Sequence, residues 1–240
     1  MTDESRKVPG QPPIGASAAT RGTGGTCPQS LDHLRGIVLT NPRLAQRVLT
    51  EQRVADHVVR ETLRAETLIR LGNPRAAATA ATRAVEAAAA EDPVAPARLL
   101  PAAVVLADCA ILSGAPDAAS GCMDLKHLAR DYADLPRMVV AVALRGVAIY
   151  HQRSCRHARR LFSGLHVARA RVTGVDAIAV ALAEARDTID ACCAARQFGH
   201  KPPVQPPAFT AGGLVQSELT PGALADRILR LPGSHDCAAV

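Results

Sequence analysis

Tryptophan is absent from this 240-residue chain, and it has only two tyrosines and three phenylalanines. A core made from such residues has few large rings to fill its interior and must rely on close approach of backbones. Lysine is almost missing too: Lys7, Lys126 and Lys201 are the only three, so the formal charge of +6 and the pI near 9.2 come from arginine. No stretch of about eighteen uncharged apolar residues occurs, and residues 1–25 lack the apolar run of a signal peptide. A membrane span and export are therefore not expected. Seven cysteines, an odd number without regular spacing, fit a reducing cytoplasm better than a disulfide framework. Also missing are a Cys-x-x-Cys pair, a glycine-rich phosphate loop, a metalloprotease histidine pair and a nucleophile elbow. His151 and Cys155 stand four apart with His157 and His127 nearby, yet four ligands at diagnostic spacing are not present. No catalytic, cofactor or metal residue is assigned. Apolar alternation with a period of two between turns is absent as well, which excludes a sheet protein.

What is present is 48% hydrophobic content, mostly Ala, Val and Leu, enough for a helical core. Residues 1–28 are Gly, Pro, Ser and Thr punctuation and read as a flexible tail. Short helices are expected over 29–53, starting at Ser30 and restarting at Asn41-Pro42, where Asn caps and Pro suits the first turn. Leu71-Gly72-Asn73-Pro74 and Ser113-Gly114-Ala115-Pro116-Asp117 each stop one helix and cap the next, giving two helical hairpins. A third runs from Pro136 to Tyr150 and, after a turn near Gln152, Arg153 and Ser154, from Cys155 to Val172. A last long helix follows from Gly174 to about Gln197. The proline-rich stretch 198–218 reads as a semi-rigid linker. The segment 219–240 holds a short amphipathic helix starting at Thr220-Pro221, with Leu224, Ile228 and Leu229 on one stripe. Such a helix is suited to docking on a partner or into the protein's own groove.

Small residues stand twelve apart within each hairpin: Ala65 with Ala77, Ala107 with Ala119, and Gly146 with Ala158. Ala185 extends the first-helix series, whose steps are 42, 39 and 39. A regular step of this size marks a stack of helix pairs, because neither helix can carry bulk where the two cross. An Ala-rich bundle without repeats is the plain alternative. Over residues 54–197 the pattern resembles the tetratricopeptide repeat family, in which a small residue of the first helix meets an Ala of the second and apolar positions follow four and seven residues later. Those later positions are Ala81 and Ala84, Met123 and Lys126, then Phe162 and Leu165. The steps are longer than the family's usual 34 residues, and in this the chain resembles the helical-repeat halves of some actinobacterial regulators. The resemblance implies an all-α protein of antiparallel helix pairs stacked as a short solenoid, with a groove lined by first helices that binds proteins.

Between Leu135 and Val175 there are eight arginines and no acidic residue. Arg153, Arg156 and Arg160 fall on one face of the third pair's second helix, with Arg159 beside them and Ala158, Leu161, Phe162 and Leu165 on the opposite side. This surface is suited to an acidic protein through guanidinium forks. The groove side is expected to present Glu66, Asp108, Tyr150 and His151. The function expected is therefore a cytoplasmic protein–protein interaction or scaffold module without enzymatic activity. The rival readings are a nucleic-acid-associated transcriptional regulator using the same arginines and an accessory subunit of a larger assembly. Oligomeric state is left open.

Overall fold

The computed structural model describes residues 31–51, 54–152, 155–169, 176–197 and 223–230. The expectations for 1–28, 198–218, Gly174, Val172 and the Thr220-Pro221 cap lie outside these residues. The described residues contain ten helices and no strand: α1 Leu31–Thr40, α2 Pro42–Glu51, α3 His57–Arg70, α4 Pro74–Ala89, α5 Pro96–Leu112, α6 Ala118–Asp131, α7 Leu135–His151, α8 Cys155–Arg169, α9 Asp176–Gln197 and α10 Ala223–Arg230. None of them is long and apolar enough to cross a membrane.

Local chemistry sets the boundaries. Asp56, Asn73 and Asp134 accept backbone N–H bonds from Val59, Ala76 and Arg137, each satisfying a donor that the first turn would leave unpaired. Pro74 and Pro96 occupy first turns, where a missing N–H costs nothing. The stops recur. Gly72 and Gly114 adopt φ of +76° and +70°, and the residue after each returns its N–H to the helix, Asn73 to the Leu68 carbonyl and Ala115 to the Ala110 carbonyl. The same motif closes α6, but with Ala133 at φ 55° in the glycine position and Asp134 N–H bonded to the Ala129 carbonyl.

Each helix from α3 to α9 packs against the next in sequence, and α5 also packs on both α3 and α7. The result is the expected all-α stack of antiparallel helix pairs. At the crossings Ala65 and Ala77 are both buried, as are Gly146 and Ala158. A Cβ on Gly146 would stand 2.8 Å from the Phe162 ring, so this position holds glycine because an aromatic fills its space.

The second pair departs from the expected spacing by one residue. Ala119, Met123 and Lys126 are only half-buried, while Ala118, Cys122 and Leu125 face the core. At the start of α6 the Ala118 N–H bonds the Ala115 carbonyl, three residues back, at 3.2 Å, whereas the Ala77 N–H of α4 bonds the Asn73 carbonyl four back. Moving by one residue rotates the buried stripe by about 100°. With this correction the second helices share one pattern: Ala77, Ala81, Ala84 and Ala88 in α4; Ala118, Cys122, Leu125 and Ala129 in α6; Ala158, Phe162 and Leu165 in α8. The side chains grow along the stack, from all alanine to Phe and Leu.

Two substitutions test this packing by urea unfolding. Ala133→Gly relieves a left-handed alanine on the surface and is expected to raise stability by up to about 1 kcal/mol, the strain relieved exceeding the added chain entropy. Gly146→Val places two methyls and a Cβ against Phe162 and is expected to lower stability by about 2 kcal/mol.

Candidate functional site

The face made by the first helices receives α10. Within α10, Leu224, Arg227 and Ile228 are at positions i, i+3 and i+4 and so project from one side. All three are buried, and Leu224 and Ile228 belong to the continuous core that runs from α5 onward. The helix packs against both α7 and α9. Arg227 reaches further, to α5. Its Nε–H donates to Asp108 Oδ1 at 2.5 Å and its Nη2–H to Asp108 Oδ2 at 2.6 Å, a two-pronged bond between side chains that are 2% and 1% exposed.

Asp108 follows the crossing residue Ala107 and is the only acid on α5, whose inward face is otherwise apolar. A lone carboxylate there is strongly disfavoured, and the guanidinium of Arg227 is what makes it tolerable. At the other side of α10, His151 closes α7 and its Nε2 lies 3.1 Å from the Arg227 carbonyl oxygen. Because a carbonyl only accepts, Nε2 carries the hydrogen in this contact. Tyr150 packs its ring edge-on to His151, with centroids 5.3 Å apart.

Of the residues expected to meet a partner, the structure thus brings Asp108 and His151 together, around the chain's own C-terminal helix. Tyr150 is a correction: at 1% exposure it is core, because α7 is covered on both sides and offers no open surface there. Glu66 is elsewhere. It is buried in α3 beside a cavity of about 120 Å³ whose wall includes Arg35, Arg98 and Arg137. Arg98 is engaged there with Asp56 at 2.5 Å and Glu91 at 2.7 Å, and Arg137 with Asp134.

The basic face of α8 is exposed at Arg156, Arg159 and Arg160; Arg153 lies outside the described residues. Arg159 is tied to α9 by an ion pair to Asp190 at 2.6 Å, leaving Arg156 and Arg160 for the outer surface. Leu161, expected on the buried side, is half-exposed. Among the described residues no group of three or more His, Cys, Asp or Glu side chains is placed to hold a metal ion.

The residue that sequence reading missed is Arg227. Its signal was available: an arginine within an aliphatic stripe, matched by one acid on an apolar helix. Neither half is informative without the other.

The buried thiols near this site are inert. Burial, reinforced by the Asp108 carboxylate, pushes Cys122 up to about 12 from an ordinary value of 9.0, and the same two causes push Cys109 up. Because their folded values are raised, the stability tied to the neutral thiols is full below about 9 and falls as pH rises from there toward 12. A disulfide reagent at about pH 8 is expected to modify the partly exposed Cys155 and Cys193 before Cys109 and Cys122, which react only on unfolding, as followed by mass spectrometry of the labelled peptides. No protein-family model, no curated protein and no solved structure matches the chain.

Proposed function

We propose that this chain is a protein–protein interaction module of the tetratricopeptide-like kind, without enzymatic activity, that binds a partner protein through its first-helix groove and its arginine face. One observation carries the reading. The groove takes up a helix through a buried, bidentate arginine–carboxylate contact and two aliphatic side chains, which is how a groove recognises a helical ligand. The arginine face adds a second surface, on α8, whose exposed guanidinium groups are suited to acidic side chains.

The same arginines also support the rival reading as a nucleic-acid-associated regulator, and one experiment separates the two. Wild type and an Arg156→Gln/Arg160→Gln variant are used to capture partners from host extract, with and without nuclease. A protein captured despite nuclease, with recovery reduced about tenfold in the variant, is the expected result. Recovery that vanishes with nuclease and falls steeply with salt would transfer the function to nucleic-acid binding.

A further inference from the structure

We infer that α10 is an internal occupant of a site whose external ligand is an amphipathic helix carrying an arginine, with an aliphatic residue three positions before it and another directly after. This rests on the interaction-module reading and specifies the ligand of its groove.

The socket defines that ligand. Asp108 is 1% exposed, and both of its oxygens accept from one guanidinium. A helix without a cation at this point would leave the carboxylate buried and uncompensated, so ligands lacking it are rejected by a penalty as well as by a missing contact. The fork geometry selects arginine over lysine, whose ammonium cannot match both oxygens in one plane. Leu224 and Ile228 fill the flanking apolar positions. His151 binds the Arg227 carbonyl, a backbone group that carries no side-chain identity, so it secures the backbone without choosing the sequence.

α10 has the properties of a competitor. Its eight residues are too few to remain helical in water alone, so it keeps its form only while docked. Twenty-five residues separate it from α9, so it reaches the site as part of the same chain. A free helix with the same three side chains competes with it directly.

The test titrates a fluorescent peptide of residues 219–231 into three full-length proteins: wild type, Arg227→Ala, and Arg227→Ala combined with Asp108→Asn. In Arg227→Ala the tethered helix loses its hold on Asp108 while the socket is intact. The peptide is expected to bind this variant at least about tenfold more tightly than wild type, because the fraction of open sites rises. A peptide with Arg227→Gln, or the double variant as receptor, is expected to lose that binding.

Circular dichroism and size-exclusion chromatography accompany each titration. A folded Arg227→Ala chain that does not bind the peptide overturns the inference, as does binding indifferent to the peptide's arginine. If Arg227→Ala loses its helical signal, Leu224→Ala is used as the opened form. Unfolding of both makes α10 an integral part of the core and also overturns the inference. A wild-type dimer that dissociates in Arg227→Ala gives the socket to α10 of a second copy, and this too overturns it. Capture through Arg156 and Arg160 is unaffected by any of these results, so the interaction-module reading can stand where this inference falls.

Discussion

The rest of the structure depends on how closely two helices can approach. With so few aromatic residues, the first hairpins gain cohesion from backbone proximity, and that proximity exists only where both helices carry alanine or glycine at the crossing. In α4 the whole contacting row is alanine, from Ala77 to Ala88. Farther along, the equivalent buried positions are held by Cys122 and Leu125, then by Phe162 and Leu165. Gly146 is the one place where both solutions meet, a missing side chain on one helix making room for a ring from the other. A stack made this way tolerates little added volume on its inner faces and leaves the outer faces free to vary.

On this scaffold the C-terminal helix introduces a different kind of interaction. The pairs are joined by apolar contact, which is indifferent to direction, whereas α10 is fixed by a planar ion pair at one point and a histidine–carbonyl bond at another. Replacing a buried ion pair with well-packed aliphatic groups is often neutral or favourable for stability, so on the proposed reading the pair's value lies in choosing which helix is accepted. That is a property useful in a recognition site and superfluous in a simple core.

How much of this was legible in the sequence depended on the range of the signal. Gly72, Gly114, Asn73-Pro74 and Pro96 act within one turn of helix, so the all-α class and the connections could be read directly. The pairing of Ala65 with Ala77 and Gly146 with Ala158 was also readable, because each pair is joined by a short turn. The orientation of α6 was not, since the connection from Gly114 to the buried Ala118 is one residue shorter than that from Gly72 to Ala77, which composition does not encode. Asp108 and His151 were recognisable as unusual residues on groove-facing helices, yet their actual contact is Arg227, 119 residues beyond Asp108 in sequence. Tyr150 was misplaced because α7 is packed by α5, α6, α8 and α10 together, leaving no open surface at its end.

That long reach also sets an order of assembly. Contacts between consecutive helices span few residues and can form locally, so the stack can begin at any hairpin and grow by addition of neighbours. The site for α10 is different, because it exists only once α5, α7 and α9 have taken their places. The docking of the C-terminal helix thus requires three separate helices, drawn from more than one hairpin, to be correctly placed.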